Sequence, residues 1–165
     1  MKRFLCVTTV LASCLAAFAD THYVNATNGS PVEPYISWAT AANRIQDAVD
    51  FSSAGDIVLV TNGVYTTGGA VTPGYACSNR VVITNDISVQ SVNGPETTFI
   101  VGAETTRGVY MSAGTLSGFT ITNGHVWLFG WENHDLSGGG INMRGGDGVV
   151  SNCILTGNSA SDGGG

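Results

Sequence analysis

The sequence predicts an all-β solenoid, a right-handed parallel β-helix with an N-terminal capping α-helix. Three observations carry that expectation. Apolar stretches end again and again on Asn followed by Gly or Asp: Leu59–Gly63, Val82–Asp86, Ser91–Gly94 and Thr120–Gly124. These residue types accept positive φ, so each ending reads as a sharp bend of the chain. Two eight-residue stretches also align, Thr115–Thr122 on Val149–Thr156, at an offset of 34 that sets Gly118 opposite Asn152 and Phe119 opposite Cys153. Finally, glycine is 23 of 165 residues, about twice the usual ~7%, without the three-residue period of collagen. Short strands, single-residue bends and a repeat in the twenties to thirties describe a stack of coils.

The first nineteen residues read as a secretory signal peptide. Lys2 and Arg3 form a basic start, Phe4–Ala17 an apolar run, and Ala17-Phe18-Ala19 a cleavage site with Asp20 as the mature start. The run is shorter than the ~20 residues a bilayer span needs. Leu11-Ala12-Ser13-Cys14 also matches a bacterial lipobox, which would lipidate Cys14 and anchor the protein. Either route implies an exported protein, extracellular or at the outer membrane or cell surface. Removal of residues 1–19 leaves four arginines (Arg44, Arg80, Arg107 and Arg144) against twelve acids, a net −8 with no lysine. So few cations disfavour nucleic acid as a partner.

Residues 20–56 read as an N-terminal cap. Within it, 37–50 is the one convincing helix: Ala41, Ile45, Ala48 and Val49 share a face, Ser37 or Thr40 can cap its start, and Ser52–Gly55 ends it. Such a helix is placed to cover the open end of a coil stack, where backbone groups are unpaired. Residues 57–165 read as coils, beginning with a strand at Asp56–Thr61. At roughly 22–30 residues each, about four coils are expected. Ser137–Gly140 recurs as Asp162–Gly165 at an offset of 25, so the array is expected to run on past the last coil, as in the N-terminal fragment of a longer protein. Of the mature cysteines, Cys77 and Cys153, the second sits in an apolar strand pattern and reads as a buried thiol. Asn25-Ala26-Thr27 and Asn28-Gly29-Ser30 match glycosylation sequons but also suit turns.

Tyr23–Ser30, Ser37–Ala41, Ile45–Val49, Gly55–Val60 and Gly63–Tyr65 together resemble the cap and first coil of secreted bacterial β-helix proteins of the pectin-lyase-like superfamily. Asn93–Ile100 and Gly118–Gly124 are similar to the same group. Gly138–Ile141, Leu155–Ala160 and Gly163–Gly165 are similar to the Gly-Gly-Ala-Ile/Leu and Phe-x-x-Asn repeats of polymorphic outer-membrane proteins, with Gly140 in place of Ala and Leu155 in place of Phe. The resemblance implies an adhesin, passenger or cell-envelope role without catalysis, whose partner is an extracellular or cell-surface polysaccharide or protein. It equally allows the N-terminal part of a polysaccharide lyase or glycoside hydrolase whose active face lies in further coils.

Chemistry-bearing motifs are sparse. The sequence has no Asn-Thr-Asp, Asp-Asp or Gly-His-Gly signature of pectin hydrolases and no Cys/His metal spacing, and it implies no cofactor, metal or catalytic residue. The exception is the insertion His125–Asp135. Trp127, Phe129 and Trp131 alternate, so in a strand they would share a face able to stack on sugar rings, although the expected arrangement is that the insertion folds down and packs them on the flank of the solenoid. Glu132, His134 and Asp135 follow as polar candidates for carbohydrate contact. Arg107 and Arg144 sit near coil bends and are expected to form surface salt bridges, and Arg44 to lie on the solvated face of the helix.

Overall fold

A computed structural model of the protein describes residues 19–127 and 137–161. The chain enters through β1 (Thr21–Val24) and the single helix α1 (Ile45–Phe51). The first coil carries β2 (Ile57–Val60), β3 (Gly63–Tyr65), β4 (Ala70–Val71) and β5 (Ser78–Ile83). The second carries β6 (Ser88–Ser91), β7 (Thr98–Val101) and β8 (Thr106–Met111). The third carries β9 (Thr115–Ser117), β10 (Thr120–Thr122), β11 (His125–Val126) and β12 (Ile141–Met143), and the fourth β13 (Val149–Ser151), β14 (Ile154–Thr156) and β15 (Ser159–Ala160). Strands stack coil on coil into walls: β1-β2-β6-β9-β13, β3-β7-β10-β14, β4-β5-β8-β12 and the short pair β11-β15. Every pairing is parallel except β4 with β5. The molecule is therefore a parallel β-solenoid of about four turns, as the sequence predicts.

The register follows from which side chains must leave water. Val58, Val89, Leu116 and Val150 lie opposite one another along the first wall. Tyr65, Ile100, Ile121 and Leu155 do so along the second, and Val81, Val109 and Ile141 along the third. Each column points inward, and its members in the middle coils are fully buried. A one-residue slip would turn every one of them outward. The offset of 34 holds residue for residue, with Val149 opposite Thr115 and Thr156 opposite Thr122. The facing bends at Gly118 and Asn152 have φ of 84° and 48°. Of the four Asn-Gly/Asp endings, only two hold a left-handed residue, Gly94 (φ 87°) and Asn123 (φ 53°). Asn85-Asp86 turns without one, and Gly63 is essentially extended.

The expected bounds of the cap helix are corrected. The helix spans Ile45–Phe51, not 37–50, and Arg44 takes the N-cap position with no side-chain cap. Ser37 and Thr40 instead close a turn, Ser37 Oγ accepting from the Thr40 N–H at 3.2 Å. The helical pattern of Ser37–Asn43 yields to sheet pairing: Ala42 bridges Val24 in parallel, its N–H donating to the Tyr23 carbonyl at 2.9 Å. β1 precedes the helix yet opens the first wall by pairing with β2. Gln46 on α1 meets the exposed edge of β5 as a strand would: its Oε1 accepts from the Val82 N–H at 2.7 Å and its Nε2 donates to the Val82 carbonyl at 3.3 Å. One primary amide thus supplies the donor and acceptor that a neighbouring strand would offer there. Among the described residues, no helix is long and apolar enough to cross a membrane.

Candidate functional site

One arginine expected at the surface, Arg107, proves to be an interior fastener. Arg107 is fully buried. It donates from Nε to the Gly138 carbonyl (2.8 Å), from one terminal nitrogen to Asn79 Oδ1 (2.8 Å) and Thr72 Oγ1 (3.2 Å), and from the other to the Ser137 carbonyl (2.9 Å). It does so because the inward face of β8 carries Arg107, Val109 and Met111 in alternation, and at the Arg107 level the wall is closed by polar loop rather than by apolar side chains. Arg80, on β5, donates to the Val101 and Gly68 carbonyls, and burial lowers its pKa. Arg144 stacks over the Tyr75 ring, 4.6 Å from its centroid, and donates to the Tyr75 hydroxyl. Arg44 is exposed, as expected.

Cys77 and Cys153 are not bonded to one another, and Cys153 is a half-buried thiol whose pKa is pushed up by burial. The sequon residues serve turns: Asn25 Oδ1 accepts from the Thr27 N–H at 3.1 Å, and Asn28 Oδ1 accepts from the Ser30 N–H at 3.1 Å.

Of the insertion, Trp127 is described. It lies one residue beyond β11 and is 60% exposed, so its ring is not folded onto the solenoid flank. Phe129, Trp131, Glu132, His134 and Asp135 lie outside the described residues. Trp127 rims a depression of about 390 Å³ shared with Glu104, Thr105 and His125. This runs into a second open depression of about 430 Å³ lined by Gly102, Ala103, Glu104, Asn123, Gly124, His125 and Gly157. The floor is bare because coils approach too closely for side chains. A Cβ on Gly124 would lie 2.0 Å from the Gly139 carbonyl oxygen, and one on Gly102 would lie 2.4 Å from Gly124 Cα.

The backbone of the groove floor is already paired: the Ala103 and Gly124 carbonyls accept from the Thr106 and Ser159 N–H groups at 3.0 and 2.9 Å. The backbone N–H groups of Gly102, Ala103 and Gly124 are already committed, to the Thr122 carbonyl, the Thr106 carbonyl and Asn158 Oδ1. His125 Nδ1 pairs with Ser159 Oγ at 2.8 Å, which fixes the ring, and its plane lies 5.6 Å from that of Trp127, centroid to centroid. Glu104 is exposed and has no hydrogen-bond or ion-pair partner among the described residues. Sequence reasoning found Trp127 but missed Glu104 and Asn123, which reach the groove from different coils and share no linear motif. Among the described residues no three His, Cys, Asp or Glu side chains gather as metal ligands.

The chain matches no protein-family model, and no curated protein or solved structure matches it.

Proposed function

We propose that the chain is an exported β-helix repeat protein of the pectin-lyase-like kind that acts as a non-catalytic binding scaffold, in an adhesin, passenger or cell-envelope role. The observation that carries this reading is the use of Arg80 and Arg107. A lyase needs a base and a free cation facing the carboxylate of its sugar. Here Arg80 and Arg107 are buried and donate to carbonyls and side chains of the coils, Arg144 stacks on Tyr75, and among the described arginines only Arg44, on the cap, is exposed. The alternative, the N-terminal part of a lyase or hydrolase, draws support from the aromatic-rimmed groove on the flank of a parallel solenoid.

The groove's inventory favours a basic segment of a partner protein. An exposed indole attracts a cation over its face, and the Glu104 carboxylate supplies the opposite charge and an acceptor for guanidinium or ammonium, which donate and never accept. An acidic polysaccharide would instead meet the Glu104 carboxylate. The expected result is that acetyl-Gly-Arg-Gly-Arg-Gly-amide changes the tryptophan fluorescence of the protein saturably, and that Trp127→Ala and Glu104→Gln each weaken binding about 5- to 30-fold. The distant exposed carboxylate Glu96 is the control: Glu96→Gln should leave the affinity unchanged. Equal binding of the peptide with citrulline in place of arginine would refute the assignment, as would equal losses in Glu96→Gln and Glu104→Gln.

A further inference from the structure

The residue at the expected mature start is already docked. The Asp20 carbonyl accepts from the Ile57 N–H at 2.9 Å, and the Asp20 nitrogen donates to Asp56 Oδ1 at 2.8 Å. The position of that nitrogen is thus set by pairing of the chain onto the first wall, not by a loose end. Asp56 is a buried carboxylate, 7% exposed, in the turn between α1 and β2. Its Oδ2 accepts from the Ser53 N–H at 2.7 Å and faces His22 Nε2 at 3.4 Å. His22 Nδ1 lies 2.7 Å from the Pro34 carbonyl, and the edge of Phe51 lies against the imidazole. A buried carboxylate calls for a cation close by, and the nearest nitrogen to it outside its own turn is that of Asp20.

We infer that cleavage between Ala19 and Asp20 turns this neutral contact into an ion pair, so that export processing latches the N-terminal cap. The inference rests on the reading of residues 1–19 as a cleaved leader. In the step itself water hydrolyses the Ala19–Asp20 peptide bond; Ala19 leaves with the leader as a carboxylate, and Asp20 keeps its nitrogen as an α-ammonium. The ammonium donates one proton to Asp56 Oδ1 and turns the other two to solvent, which the exposed position of Asp20 allows. Lipidation at Cys14 would retain residues 14–19 and leave an uncharged amide at Asp20, so the two processing routes give different caps.

The latch has a pH window with two edges. Burial pushes the Asp56 carboxyl up, but the hydrogen bonds from Ser53, Asp20 and His22 outweigh it and hold it below the ordinary value. Its stabilisation is therefore present at neutral pH and lost as pH falls below about 4. The ammonium is stabilised by its partner, so its contribution is present below about pH 7.7 and lost as pH rises beyond it. The titratable groups beside the pair are His22 from β1 and the Asp20 side chain itself, and His22 stands in both processed and unprocessed chains.

Residues 20–165 hold no lysine, so in a protein of that span an acylating reagent meets a single amine, at Asp20. The experiment compares the exported, matured protein before and after N-terminal acetylation, by thermal unfolding from pH 3 to 10. Acetylation is expected to lower the Tm by about 3–6 °C near pH 6, to lower it less at pH 3 as Asp56 protonates, and to change nothing at pH 10. In Asp56→Asn the two forms should melt together at every pH. Equal melting of the free and acetylated wild-type proteins near pH 6 would overturn the latch. Sequencing of the exported protein's N-terminus reports separately on the leader: a start other than Asp20 would overturn the processing step itself.

Discussion

Arg107→Ala is expected to destabilise the protein by about 3–5 kcal/mol, with a fall in Tm on the order of 10 °C. An exposed arginine in a surface salt bridge would be worth at most about 1 kcal/mol, so the magnitude itself separates the two roles. Arg107 is fully buried and holds groups from three places in the sequence: Thr72 and Asn79 in the first coil, and Ser137 and Gly138 before β12. Removal leaves Asn79 Oδ1 and two carbonyls without these donors, in a space water cannot readily refill. Arg107→Lys should recover only part of the loss, because one ammonium cannot reach acceptors spread around a planar fork. Chemical denaturation checks both, and a loss below 1 kcal/mol in Arg107→Ala would refute the fastening role.

Gly124→Ala is expected to cost about 3 kcal/mol or more, through steric conflict rather than a lost contact. Its new Cβ would meet the Gly139 carbonyl oxygen at 2.0 Å and the Gly108 nitrogen at 2.8 Å, both backbone atoms that cannot swing aside. The coils on either side would have to separate at this corner, where Asn158 also bridges them through the Gly124 N–H and the Ile121 carbonyl. Gly146 provides the contrast: a Cβ there meets nothing within 4 Å, so Gly146→Ala should change stability by no more than about 0.5 kcal/mol. Similar thermal denaturation of the two variants would contradict the close stacking of coils at Gly124.

These positions show what a linear reading can and cannot reach. The bend at Asn123-Gly124 was legible, but its division of labour was not. Asn123 supplies the positive φ, whereas Gly124 is needed because the return of its own coil at Gly139 and the second coil at Gly108 leave no room for a Cβ. The register was legible to the residue because inward columns repeat similar apolar side chains, Leu116 over Val150 and Ile121 over Leu155. The helix was overextended because Ala39, Ala41 and Ala42 carry helical propensity, while the pairing of Ala42 with Val24 is a contact 18 residues distant that propensity does not encode. Arg107 was misread for a like reason, since its partners come from separate coils. The groove was half legible: an aromatic at Trp127 stands out in sequence, whereas Glu104 becomes its neighbour only once coils two and three are stacked.

The central claim is that this solenoid binds and does not cleave. The most direct measurement incubates the exported protein with uronate and neutral polysaccharides and follows unsaturated and reducing chain ends over time. The account predicts no release above that of a buffer control, with Arg107 and Arg80 held in the coil walls throughout. Sustained release that disappears in Glu104→Gln or Trp127→Ala would contradict it, and would make the groove an active site.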